Sequence, residues 1–90
     1  MHEMSLMADL MRKIDRLARE NDSRITTVRV RLGALSHISA SHFREHFKKT
    51  ARGGPAAAAT LIVTESADEH AADAQDIVLE SVDVEVDGDG

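Results

Sequence analysis

The sequence predicts an α+β fold in which a three-stranded sheet packs against two helices, in the chain order α-β-α-β-β. Two regions have apolar residues at helical spacing, three have strand patterns, and Gly53-Gly54-Pro55 separates the second helix from the second strand. A length of 90 residues suits one small domain, so we expect residues 1–90 to form a single unit.

The first helix is predicted over residues 4–20, because apolar side chains recur there every three or four positions without an interrupting Gly or Pro. We interpret its methionines as packing residues rather than as Cu(I) ligands, since filling gaps in a core is their commoner role. The expected apolar face consists of Leu6, Leu10, Ile14 and Leu17, with Met4, Met7 and Met11 beside it.

The first strand is predicted at Ile25–Leu32, where apolar and polar residues alternate. One face of the sheet should therefore be buried beneath the helices. The second helix begins at Ser39 or Ser41, because either hydroxyl can cap it, and it ends near Arg52. Its expected core side consists of Phe43, Phe47, Thr50 and Ala51.

The remaining strands are predicted at Thr60–Glu65 and over residues 77–86. In the last strand the apolar residues change parity near Glu80-Ser81, which predicts a β-bulge. Residues 66–76 are acidic and lack periodicity, so we expect a loop there.

Composition excludes several classes of protein. The chain is 42% hydrophobic and 30% charged and contains no cysteine, which rules out a collagen, a coiled-coil rod and a disulfide-knotted toxin. No apolar run approaches the ~20 residues that span a bilayer, and the opening residues do not form a basic signal-peptide region. We therefore expect a cytoplasmic protein without a membrane partner.

Charge is distributed unevenly along the chain. All 11 Lys and Arg residues lie at or before Arg52, although the net charge is −5. We expect arginines of the first strand to pair with later acidic residues across the sheet. The alternative is an acidic surface for a cation or a basic partner. Nucleic acid is disfavoured, because the chain is acidic and its basic part lacks interleaved aromatic residues.

The first three residues have metal-binding chemistry. Met1 and His2 can chelate an ion through the Met1 amine, the His2 amide nitrogen and the His2 imidazole, a donor set that suits square-planar Ni(II) or Cu(II). Glu3 can add a backbone nitrogen or its carboxylate. We expect the Met1 amine to persist, because a following histidine is too bulky for ordinary methionine removal.

Two blocks of sequence resemble one known family. The chain has MHEMSL at residues 1–6 and VRVRLGALS at residues 28–36. The first is similar to the opening of the HypA family, the nickel metallochaperones of [NiFe]-hydrogenase maturation, and the second to the family's strand that ends in Gly-x-Leu-Ser. The predicted element order is also that of the family's nickel-binding domain.

The resemblance implies a non-enzymatic metallochaperone that binds Ni(II) weakly through Met1 (by its amine), His2 and Glu3. It further implies transfer of nickel with a HypB-type GTPase to a hydrogenase large subunit, and in some organisms to urease. Family members carry a zinc domain with two Cys-x-x-Cys pairs where this chain has residues 66–76, so no structural zinc is expected here. A metal-free protein-interaction module of the same fold is the alternative, and a homodimer is possible.

Four further histidines leave alternatives open. His37 could replace a carboxylate that many family members have near the metal motif, or it could be exposed. His42 and His46 belong to a His-x-x-Glu-His sequence, the signature of inverzincin zinc proteases, and are either exposed helix surface or metal ligands. A small zinc hydrolase is a further rival, although the chain leaves little room for a third ligand and a cleft. His70 lies in the acidic loop, where a cation contact or simple solvation is expected.

Overall fold

The computed structural model describes the backbone of residues 2–85 and the side chains of residues 5–85. This part of the chain forms two helices and three strands in the predicted order. The elements are α1 (His2–Asn21), β1 (Ile25–Leu32), α2 (Ala40–Ala51), β2 (Thr60–Glu65) and β3 (Ile77–Val84).

Element boundaries agree closely with the sequence patterns. The first two strands have the predicted bounds, while α1 extends slightly beyond both predicted ends. Ser39 is the cap of α2, because its hydroxyl accepts the His42 N–H at 3.2 Å, which decides between the two candidate serines. β3 ends at Val84. The predicted final strand residue, Val86, lies outside the described residues.

The strand order β2-β1-β3 determines where the loops lie. β1 is parallel to β2, and α2 supplies the crossover that a parallel pair requires. β1 is antiparallel to β3. Leu32 lies opposite both Glu65 and Ile77, so β2 ends and β3 begins at the carboxyl end of β1. Residues 66–76, which we name the crossing loop, therefore pass across that end of β1.

The predicted bulge in the last strand is confirmed. Arg29 pairs with Ser81 and Val30 pairs with Leu79, which leaves Glu80 without an opposite residue on β1. The extra residue changes the parity of the strand. As a result, Leu79 and Val82 both pack against the core despite their odd separation.

The core lies between the two helices and one face of the sheet. Phe43 and Phe47 are buried as predicted, and so is Ala51, but Thr50 is exposed. The prediction for Thr50 was wrong because the buried row of α2 follows positions 43, 47 and 51, while the Thr50 hydroxyl donates to the His46 carbonyl. The largest fully buried side chains are Leu10, Ile14, Val28, Val30, Leu32 and Phe43.

A search of the described residues found no helix with the length and apolar character needed to span a membrane.

Candidate functional site

The start of α1 lies near the crossing loop. Leu6 and Leu10 of α1 line a cavity of about 300 Å³ together with Asp76 and the first residues of β3. The crossing loop ends at Asp76, so the helix start and the return of the chain into the sheet meet at the carboxyl end of β1. The start of α1, which includes the backbone of His2 and Glu3, and the crossing loop thus lie at the same end of the sheet.

Two of the three predicted nickel ligands, His2 and Glu3, are the first residues of this helix. Met1 lies outside the described residues, and His2 and Glu3 begin α1, with only their backbone described. The first N–H groups of an α-helix have no acceptor within the helix. Deprotonating the His2 or Glu3 amide to bind a metal would therefore break no helical hydrogen bond. The positive end of the helix dipole also favours the negative charge of a deprotonated amide.

Packing along α1 fixes the direction of this helix. Leu10, Ile14 and Ala18 are buried, and Met7 is buried beside them. Met11 is half-buried and packs against the same core. Met7 and Met11 are therefore packing residues, as predicted, whereas the side chain of Met4 lies outside the described residues.

A turn at residues 33–36 holds the crossing loop in place. The Gly33 N–H donates to the Asp76 carbonyl at 2.9 Å, and the Leu35 N–H donates to the Ala74 carbonyl at 2.7 Å. A Cβ at Gly33 would lie 2.2 Å from the Ala74 carbonyl oxygen, far inside contact distance. Glycine is therefore required at this position by close approach of two backbone segments.

Ion pairs connect β1 to the acidic part of the chain. Arg31 Nη2 lies 2.9 Å from Asp73 Oδ2 in the crossing loop, and Arg31 Nε lies 3.4 Å from Glu80 Oε2. Arg29 holds both carboxylate oxygens of Asp83 at 3.1 Å. These contacts confirm the predicted pairing of arginines with acidic residues across the sheet.

The arginine partners lower the pKa of both aspartates, Asp73 and Asp83. The hydrogen bond from Arg31 lowers the pKa of Asp73, with partial desolvation opposing and the positive charge reinforcing the effect. The hydrogen bond from Arg29 lowers the pKa of Asp83 in the same way. Each carboxylate is thus held in its charged form.

The internal histidines lie at separate places. His37 is exposed in the left-handed region with φ of 61°, and it lines a small cavity with Glu65 and Ser66. His70 is exposed in the crossing loop, where its backbone N–H donates to Asp68 Oδ1 at 3.0 Å. Neither position contributes to a site with three metal-ligating side chains among residues 5–85.

His42 and His46 come together on α2. Their rings stack with centroids 4.6 Å apart and an angle of 12° between planes. Within the described side chains, no third His, Cys, Asp or Glu joins them in a metal-binding cluster, Glu45 included. The His-x-x-Glu-His sequence therefore supplies two adjacent imidazoles but not the three-ligand set of a zinc protease.

A larger cavity lies at the opposite end of the sheet. It measures about 730 Å³ and is formed where the ends of α1 and α2 approach Arg24 and Pro55. Asp15, Arg19 and Asp22 contribute charged groups, but its described lining contains no histidine. The histidines among the described residues therefore lie away from this cavity.

Comparison with known proteins places the chain. Residues 1–85 match the profile of the family described as "Hydrogenase/urease nickel incorporation, metallochaperone, hypA". The chain belongs to the HypA family. That description is of a metallochaperone and not of an enzyme, in agreement with the expectation of a non-catalytic protein.

Curated relatives of this HypA-family chain include proteins named hydrogenase maturation factor HypA. The one from Rhodopseudomonas palustris strain TIE-1 is 41% identical over 66 residues, which are 72% of this chain and 58% of that protein. The one from strain BisB5 is 42% identical over 58 residues, which are 63% of this chain and 51% of that protein. The chain thus spans a little more than half the length of the curated relatives it matches.

Sequence reasoning about this HypA-family member missed the support of the crossing loop. The Gly-x-Leu-Ser block marked a family feature, but its role in holding Ala74 and Asp76 depends on residues about forty positions later. The available signals were a glycine directly after a buried strand and an excess of acid after Arg52. Neither signal specifies which backbone groups pair.

Proposed function

We propose that this chain is a nickel metallochaperone that binds Ni(II) through the Met1 amine, the His2 amide nitrogen and imidazole, and Glu3. The observation that carries the proposal is the family match over residues 1–85, a match that includes the Met-His-Glu opening. The start of α1 supports it, because the amides concerned belong to the first helical turn.

The donor set accounts for a preference for Ni(II) or Cu(II) over hard divalent cations. An amine, deprotonated amides and an imidazole are strong-field nitrogen donors, which favour a square-planar ion over the octahedral, oxygen-ligated Mg(II) or Ca(II). Two anionic donors around a divalent ion make the complex electrically neutral. Ordering the His2 and Glu3 backbone in a helix anchored by Leu10 and Ile14 restricts the freedom of these donors before metal arrives.

Transfer follows from the position of the donors at a chain terminus. We infer that a partner protein displaces the Met1 amine and the Glu3 donor one at a time, so that nickel moves by ligand exchange without being released to water. Family membership supports a HypB-type GTPase and a hydrogenase large subunit as the partners, since the relatives are named hydrogenase maturation factors.

The crossing loop replaces the zinc domain in this proposal. The chain has no cysteine, and residues 66–76 are held by backbone hydrogen bonds to Gly33 and Leu35 and by the Arg31–Asp73 ion pair. These contacts close the end of the sheet by themselves. We therefore infer that nickel is handled without a structural zinc ion.

A nickel titration tests the proposed N-terminal site. The protein with a verified free Met1 amine is compared with the same chain carrying two additional residues before Met1, which makes His2 the fourth residue and prevents its imidazole from closing the chelate with the terminal amine. We expect the first to bind one Ni(II) with the absorption band of a square-planar complex, and the second to lack that band. His2→Ala should behave as the extended chain does, whereas the matched control His70→Gln should retain the band.

Two outcomes would contradict the proposal. An identical band in the free and extended chains would place the square-planar complex away from the Met1 amine. No band in either chain would mean that the family fold is present without its nickel chemistry, and the metal-free interaction module would replace the metallochaperone.

A further inference from the structure

The stacked imidazoles of α2 are not used by the N-terminal chelate. His42 and His46 are one helical turn apart, so their side chains share one face of α2. The next residues along the chain, Phe43 and Phe47, are buried at 0% and 3% exposure and fix the rotation of the helix. His42 is consequently exposed and His46 half-buried, with both rings on the outward side of the helix.

Their separation matches that of two imidazoles on one metal ion. With metal–nitrogen bonds of 2.0–2.1 Å and a right angle between them, two ring centroids lie about 4.5 Å apart. The centroids of His42 and His46 are 4.6 Å apart. The rings are nearly parallel, so one ring must rotate about its Cβ–Cγ bond to direct its nitrogen at a shared ion. That torsion is soft in histidine.

We propose that His42 and His46 form a second metal site on this chain, which takes a divalent late transition-metal ion through two imidazole nitrogens. Ni(II) is the ion expected in this family, and Cu(II) should bind more tightly by the usual order of affinities. With two protein ligands, water or a partner's side chain fills the other positions. Such a site exchanges metal quickly and suits the capture of an ion rather than its storage.

The position of the pair adds to this inference. α2 begins directly after the 33–36 turn, and the Ser39 cap bonds to the backbone of His42. The pair therefore lies on the helix that leaves the carboxyl end of β1, the end at which α1 starts and the crossing loop passes. This site is independent of the N-terminal chelate, and either could exist without the other.

The test uses the full chain with two additional residues before Met1, which moves the first histidine to the fourth position and so removes the N-terminal chelate. This protein is titrated with NiCl2 by calorimetry, alone and as His42→Gln, His46→Gln and the matched control His70→Gln. We expect one Ni(II) per chain, a loss of at least about tenfold in affinity for each of the first two variants, and a change within about twofold for the control. The mutated side chains lie on exposed or half-buried helix surface and in a loop, and far-UV circular dichroism verifies folding.

A second measurement identifies the ligands directly. Zn(II) is diamagnetic, so its addition should shift the ring NMR signals of His42 and His46 while those of His37 and His70 stay in place. Equal Ni(II) affinity in the parent and both pair variants would overturn the proposal, as would ring shifts confined to His37 or His70. Absence of Ni(II) binding to the extended parent would also overturn it. None of these results depends on the square-planar band that reports the N-terminal site.

Discussion

The two ends of the sheet differ in what they hold. At the carboxyl end of β1, the crossing loop is hydrogen-bonded to the 33–36 turn, and its last residue, Asp76, lines a cavity of about 300 Å³ with Leu6 and Leu10 of α1. At the amino end, the Ile25 backbone N–H donates a hydrogen bond to the Pro55 carbonyl at 3.0 Å, and the cavity beside it measures about 730 Å³. The family motifs lie at the first end, although the second has the larger cavity.

Under the proposed function, the larger cavity is not the site of metal binding. The proposed cargo is a single ion, which needs a few nitrogen donors and no large concave surface. In the proposed site, the donors belong to the start of the chain, at the end of the sheet where the 33–36 turn is hydrogen-bonded to the crossing loop. The larger cavity is lined by the ends of both helices, and its charged groups include the exposed Arg19 and the half-buried Asp15.

The largest effect that we predict concerns pH and nickel at the carboxyl end. Binding displaces at least one proton, because a ligating imidazole must be neutral and an amide ligand deprotonated. The apparent Ni(II) affinity of the chain with a free Met1 amine should fall at least about a hundredfold between pH 8 and pH 6. Competition with a chelator at each pH measures it. Unchanged affinity across this range would rule out the proposed donor set.

The second prediction compares one glycine from each end. Gly33→Ala should destabilise the fold by at least about 2 kcal/mol. The new Cβ would clash with the Ala74 carbonyl, and a backbone shift that relieves the clash would break native packing. Gly54→Ala is the matched control, since its Cβ would lie 3.4 Å from the Ala51 carbonyl oxygen, and we expect a change within about 1 kcal/mol. Urea denaturation measures both. Similar losses of unfolding free energy in the two variants would contradict a special role for the 33–36 turn.

The smallest effects are expected at the ion pairs. Asp73→Asn and Asp83→Asn should each lower the unfolding temperature at neutral pH, and Asp73→Asn more so, because Asp73 and Arg31 are the less exposed pair. Folding lowers the pKa of both carboxyls, so their stabilisation is present above the unfolded pKa of about 3.9 and is lost as pH falls below it.

The acid range checks this interpretation. The difference in unfolding free energy between the parent and each variant should shrink as pH falls below about 4. Denaturant unfolding at a series of pH values measures this difference. A difference that stays constant into acid would mean that Asp73 and Asp83 act through packing and not through charge.

Much of this fold was predictable because its signals are local. The bounds of β1 and β2 follow from alternation and flanking turns, and the end of α2 follows from Gly53 and Pro55. The bulge at Glu80 was visible as a change of parity, since the period of a strand is two residues. The exposure of Thr50 was not predictable, because Thr50 lies at the edge of the apolar face of α2. Whether a residue at such an edge is buried depends on which other elements pack against it.

The candidate site divides in the same way. The Met-His-Glu opening and the His42–His46 spacing are local features of the chain, so the sequence by itself determined the candidate donors and the helical face that His42 and His46 share. Only the tertiary structure decided that the crossing loop passes the end of β1 and that Arg31 pairs with Asp73. The same is true of the close approach of the Ala74 backbone, which leaves no room for a side chain at Gly33. The reason is physical: these contacts join residues about forty positions apart, and strand order and register, which no local pattern encodes, bring them together.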